Sequence, residues 1–159
     1  MATTQKPLWA SEVNLALTLE DLANAAAREC TVVDNSSNLY TDALIQGFFK
    51  TVAGSLGTNP CIEIWTYGLS QGGSSYPDAV TGSNAGITMK TSPAIKLFDI
   101  VPIHTANVAC YMNPKWLSIV YGSDVPKKWG IVIVNKTGLA GAASGAGTFS
   151  YIGYNPQSV

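Results

Sequence analysis

The chain has 159 residues, with nine Lys and Arg, ten Asp and Glu and one His, for a formal net charge of −1. Charged residues make up 12% against about 25% in ordinary soluble domains, and hydrophobic residues 47%, which excludes global disorder and predicts one domain burying roughly 70% of its unfolded surface. A net charge near zero, with no basic run longer than Lys127-Lys128, leaves no electrostatic footprint for nucleic acid or an anionic membrane, and no window approaches the ~18 apolar residues of a transmembrane helix.

Residues 1–10 read as an extended N-terminal arm, polar apart from Leu8 and Trp9, leading into a single domain over 11–159. The opening Met1-Ala2-Thr3-Thr4-Gln5-Lys6 has no apolar signal-peptide core, so synthesis in a reducing cytoplasm is expected. Cys30, Cys61 and Cys110 are odd in number and lack C-x-x-C spacing, which fits free thiols. Val13, Leu15 and Leu17 alternate with polar or small residues and predict a first strand. Thr18-Leu19-Glu20-Asp21 resembles a capping box, and Leu19, Leu22, Ala23 and Ala26 follow at helical spacing, so a short helix is expected over 19–28. A strand over 30–33 ends at the turn cluster Asp34-Asn35-Ser36-Ser37-Asn38. The next strand, 42–53, sets Ala43, Ile45, Gly47, Phe49 and Thr51 on one face.

After Gly54, Gly57 and Pro60 comes a strand over 61–67, then a Gly/Ser/Thr/Asn-rich excursion over 68–92, longer than ordinary loops and expected to pack as an Ω-type loop. Residues 95–103 predict a strand that Pro102 confines to an edge or a bulge. Short strands over 107–111 and 116–121 flank Asn113-Pro114. Residues 129–135, apolar on both faces, predict the central strand, which stops at Asn135-Lys136-Thr137-Gly138. A Gly/Ala/Ser turn over 138–147 leads to a last strand over 148–154. These runs total about eight or nine short strands, an all-β chain best accommodated as a two-sheet antiparallel β-sandwich, jelly-roll-like in strand number.

Residues suited to chemistry are sparse. Gly68-Leu69-Ser70-Gln71-Gly72 matches G-x-S-x-G, with Asp78 or Asp99 and then His104 downstream in hydrolase order. That elbow needs a strand–turn–helix, and Gly73-Ser74-Ser75-Tyr76-Pro77 starts no helix, so no catalytic residue is assigned and the chain is not expected to be an enzyme. His104 has no second ligand at metal-binding spacing, so no metal is expected. The glycine-rich 141–147 lacks the Lys-Ser or Lys-Thr of a phosphate cradle, so no cofactor or small-molecule substrate is expected. Asn35-Ser36-Ser37 and Asn135-Lys136-Thr137 are glycosylation sequons that carry meaning only in a secreted chain. Four Trp and seven Tyr allow sugar binding through exposed aromatics, with Tyr67, Tyr76, Tyr151 and Tyr154 the candidates.

Two stretches, Thr31-Val32-Val33-Asp34-Asn35-Ser36-Ser37-Asn38-Leu39-Tyr40-Thr41-Asp42-Ala43-Leu44 and Val125-Pro126-Lys127-Lys128-Trp129-Gly130-Ile131-Val132-Ile133-Val134-Asn135-Lys136-Thr137-Gly138, carry a resemblance. Together they resemble small virion proteins encoded among the head genes of tailed bacteriophages, in particular their jelly-roll capsid decoration, or cement, proteins. The likeness spans most of residues 11–155 and lies in strand and turn signatures. It implies a jelly-roll fold, dimers or trimers on the capsid surface, and no catalysis. The expected partners are the major capsid protein and further copies of this chain, with Leu8, Trp9, Tyr76 and Pro77 as contact residues. The alternative is a glycan-binding module of a tail or receptor-binding apparatus.

Overall fold

The computed structural model describes residues 5–69, 75–77, 79–90, 92–122 and 125–158. In chain order the elements are β1 (Gln5–Asn14), β2 (Ala27–Glu29), β3 (Val33–Asp34), β4 (Asp42–Phe49), β5 (Cys61–Gly68), β6 (Ala85–Ile87), β7 (Ile95–Pro102), β8 (Cys110–Tyr111), β9 (Lys115–Trp116), α1 (Ser118–Tyr121), β10 (Lys128–Lys136) and β11 (Gly147–Ser158). They form two antiparallel sheets. The first runs β1-β11-β4-β8, with β9 also on β4, and the second runs β6-β2-β10-β5-β7, with β3 also on β10. β8 and β9 are two pieces of one strand along β4, interrupted at Pro114, with Met112 and Leu117 amides carrying the ladder on to the carbonyls of Gly47 and Ala43. Taking those two as one and setting aside β3 and β6, the eight principal strands lie in the order 1-8-3-6 in one sheet and 2-7-4-5 in the other. That alternation between sheets is the jelly-roll arrangement.

Period-2 alternation decides what faces the core. From the first sheet Ala43, Ile45, Phe49 and Phe149 point inward, and from the second Ile62, Ile64, Trp129, Ile131 and Ile133 meet them, all essentially without exposure. Trp129 of β10 sets its ring edge-on to Tyr151 of β11, with centroids 5.3 Å apart and planes at 81°, a favourable aromatic geometry that ties one sheet to the other.

Part of the opposite face of the second sheet is buried as well, while Leu97 and Ile100 of β7 stay about half exposed on it. Val132, Val134, Tyr67, Ile95 and Ala27 form a second apolar cluster, closed by Leu69 and Val80 and flanked by Ile87 and Met89. The described part of the 68–92 excursion is therefore a cover, and it adds β6 to the edge beside β2. Part of the chain's apolar content is buried here, and the two-sided apolarity of β10 has its cause in this third layer. A buried carboxylate anchors the cover. Glu29 accepts hydrogen bonds from the Thr81 amide (2.9 and 3.0 Å), the Thr81 hydroxyl (2.6 Å) and the Gly82 amide (3.1 Å). Gly82 has φ +77° and lies under the Tyr76 ring, so a side chain there would be strained and would strike that ring.

Pro102 sits where the sequence placed it, at the end of edge strand β7, which also carries a bulge opposite Ile64 and Trp65. Three expectations are corrected. Residues 19–28 are not helical: Asp21 and Ala25 have positive φ, and only isolated turns form. The backbone there finds tertiary partners instead, with Ala25 donating to the Asn135 carbonyl and the Ala26 carbonyl accepting from the Asn135 amide, and these replace a helix of marginal length. Among the described residues the one short helix is α1, inside a stretch expected to be strand. Asp42 accepts from the Ser118 amide (3.0 Å) and hydroxyl (2.5 Å), and Gly122 ends the turn in the left-handed region at φ 73°. The first strand covers Gln5–Asn14 and not 13–17, so from Gln5 the stretch expected as an arm is hydrogen-bonded to β11.

Candidate functional site on the outer face of the first sheet

The outward positions of β4 and β11 build an open face that the jelly roll leaves uncovered. Its two ends are aromatic, and between them lie the half-buried Leu44 and Ile152 and a polar cluster. At one end Trp9 of β1, Trp116 of β9 and Tyr154 of β11 form a triad with centroids 5.3 to 5.6 Å apart. Trp9 is directly opposite Tyr154 in the β1–β11 register and is 48% exposed. Beyond this point β4 no longer pairs with β11. The rungs from Gln5↔Ser158 to Leu8↔Asn155 form a two-stranded ribbon that projects past the sheet, with Leu8 45% exposed.

At the other end Phe48 of β4 packs against Tyr111 of β8, centroids 5.2 Å apart, with Tyr111 72% exposed. Between Tyr154 and Thr148, the residue opposite Phe48, lie six residue steps, about 20 Å of strand. Glu12, Gln46 and Ser150 occupy the middle. The Ser150 hydroxyl donates to Glu12 Oε1 at 2.5 Å and the Gln46 amide donates to the same oxygen at 2.8 Å. These two bonds, Ser150 first, hold the Glu12 carboxyl below the ordinary glutamate range. Beside them opens a cavity of about 370 Å³ whose lining includes Glu12, Gln46, Phe48, Tyr111 and Ser150.

The residues singled out in the sequence separate into two places. Leu8 and Trp9 lie on the first sheet and its ribbon. Tyr76, 40% exposed, and the half-buried Pro77 belong to the cover held on the second sheet by Glu29. Of the aromatic sugar candidates, Tyr67 and Tyr151 are buried in the two cores and only Tyr154 joins the open face. Ser70 and Asp78 lie outside the described residues. Asp99 is paired with Lys115 at 2.5 Å, and His104 is exposed beside Cys61 and Ile100 in a mainly apolar hollow of about 550 Å³. Among the described residues no group of three or more His, Cys, Asp and Glu converges as a metal site, and no helix is long and apolar enough to cross a membrane. Glu12, Gln46, Tyr111 and Trp116 were not singled out from the sequence. The alternation of β4 marks 46 and 48 as outward, but which strands flank them is a matter of long-range pairing.

No protein-family model, no curated protein and no solved structure matches the chain.

Proposed function

We propose that this chain is a virion structural protein, a capsid decoration or cement subunit that binds the assembled head of a tailed bacteriophage and stabilises it. The observation that carries this reading is the terminal ribbon. Two strands alone are marginally stable in water, yet here Gln5–Leu8 and their partners extend past the sheet with Leu8 and Trp9 half exposed at the root. A neighbouring protein surface that covers the ribbon supplies the missing burial. The major capsid protein and adjacent copies of this chain are the partners that the sequence resemblance names. The jelly-roll order supports the reading only in part, because the same fold serves both capsid and lectin domains.

A subunit that binds only the assembled particle stabilises it by mass action, so its weak contacts are multiplied over a symmetric lattice. The test is co-sedimentation of purified protein with heads that lack it. Saturable binding at a fixed stoichiometry, a raised temperature of head disruption, and loss of both in the Leu8→Ser/Trp9→Ala variant are expected. Unchanged occupancy by a folded variant would sink the ribbon as the docking element. A second reading, a glycan-binding module of a tail or receptor-binding apparatus, is favoured by the exposed aromatics that flank polar groups on the outer sheet face.

A further inference from the structure

We propose that the cavity between Glu12, Gln46, Ser150 and the Phe48–Tyr111 pair is a binding site for a neutral carbohydrate. Its size, about 370 Å³, falls within the range of about 300–1,000 Å³ typical of small-molecule sites. Sugar recognition needs two things from a protein: a flat ring for the C–H face of the pyranose, and fixed acceptors and donors for its hydroxyls.

Tyr111 supplies the first. Its ring packs against Phe48 with centroids 5.2 Å apart and planes at 43°, and with 72% of the residue exposed it is open to a ligand. The electron-rich face of such a ring attracts the polarised C–H groups of a sugar. Glu12 and Gln46 supply the second. Ser150 and Gln46 both bond to Glu12 Oε1, which leaves Oε2 without a protein partner among the described residues. Gln46 uses one amide hydrogen on Glu12, and its second hydrogen and its carbonyl oxygen remain for a ligand. A carboxylate oxygen beside a carboxamide, both oriented by neighbours, matches adjacent sugar hydroxyls, and the bonds to the carboxylate are charge-assisted.

The charge of the site chooses among sugars. Among the described residues of the lining Glu12 is the only charged one, so uronic or sialic acids are repelled and neutral hexoses are favoured. The site spans the β11 positions from Ile152, opposite Glu12, to Thr148, opposite Phe48, so its near edge lies two residue steps, about 7 Å, from Tyr154 and its Tyr111 end about 20 Å from it. The inference rests on the glycan-binding reading and deepens it by naming the site and the sugar class, whereas the decoration reading has its own test in head binding.

The test is titration of the isotopically labelled full-length chain with neutral disaccharides of glucose, galactose and mannose, and with an acidic sialylated sugar, followed by amide chemical shifts. At least one neutral disaccharide is expected to shift Gln46, Phe48 and Tyr111 in a saturable way, with the acidic sugar binding more weakly. Tyr111→Ala and Gln46→Ala are each expected to weaken binding about tenfold, or about 1.4 kcal/mol. Both single changes lie on exposed or half-exposed positions, and unperturbed shifts elsewhere establish that the variants fold. The proposal is overturned if no neutral disaccharide shifts these residues at millimolar concentration, or if binding survives undiminished in both variants.

Discussion

The side-chain amide of Asn135 donates a 2.8 Å hydrogen bond to the carbonyl of Leu22, 113 residues earlier in the chain. The same amide donates to the Leu139 carbonyl at 2.8 Å, and the Asn135 side-chain oxygen accepts from the Thr137 amide and hydroxyl. A fully buried polar side chain thus ties the end of β10 to the irregular segment after Leu19. This is why the β-branched run stops where it does and why residues 19–28 need no helix. Asn135 and Thr137 both have no exposure, so the sequon they spell is inaccessible in the folded chain.

Asn135→Ala removes four hydrogen bonds at once and leaves the Leu22 and Leu139 carbonyls without that partner. Buried groups stripped of a partner cost about 1–3 kcal/mol each, moderated by relaxation, so a loss of about 3 kcal/mol is expected. Urea denaturation measures it as a lowered midpoint at unchanged slope. A loss under about 1 kcal/mol would show that water replaces the side chain freely.

Glu29 carries the cover of the second sheet, and its effect is local. Glu29→Gln keeps the shape but puts an amide group where the Thr81 and Gly82 amides need an acceptor. A cost of about 2 kcal/mol is expected. The Thr81 and Gly82 amides should lose protection from hydrogen exchange and residues 79–90 should become protease-sensitive, while Ile131 and Ile133 stay protected. Equal protection at Thr81 in both proteins would show that the apolar contacts of Val80 hold the cover unaided.

The strands and their buried faces were legible because period-2 alternation is a local signal. Ala43, Ile45, Phe49 and Thr51 are inward as read, and the two-sided apolarity of β10 correctly placed it in the interior of a sheet. Pro102 marked an edge because it has no amide to donate. What failed was decided at long range. The 19–28 helix lost to the backbone of β10, and the strand over 116–121 lost to Asp42, 76 residues from Ser118 in the chain. The cavity on the outer face was invisible for the same reason: Glu12, Gln46 and Ser150 meet only when β1 and β4 flank β11. Trp9 was flagged by its type, but Trp116 beside it was not, because that adjacency needs β9 on β4.

The three cysteines should react in two classes. Cys30 is buried, its sulfur accepts the Ile131 amide at 3.2 Å, and burial pushes its thiol up to about 11. Cys61 and Cys110 are half-buried, and burial with the nearby Glu63 also raises the Cys61 thiol. A colorimetric thiol reagent at mildly alkaline pH should label Cys61 and Cys110 in the native protein and Cys30 only on unfolding. Labelling of Cys30 at the rate of an open thiol would mean that the jelly roll opens locally at β2.

Asp34 supplies an acid-side dependence of stability. Hydrogen bonds from the Ser36 side chain and amide, with Lys128 at 3.2 Å, lower its carboxyl from the ordinary aspartate range to about 2. A folded value below the unfolded one means that the group stabilises the native state at neutral pH. That contribution is complete above the unfolded value of about 3.9 and is lost as pH falls through about 2. Asp34→Asn should therefore flatten the decline in denaturation midpoint across this acid window and leave its shape above pH about 5 unchanged. Carboxyl-carbon shifts of the native protein check the cause directly. A midpoint near 2 is expected for Asp34, and one near 3.9 would show that the turn bonds to Ser36 give the charged form no advantage in solution.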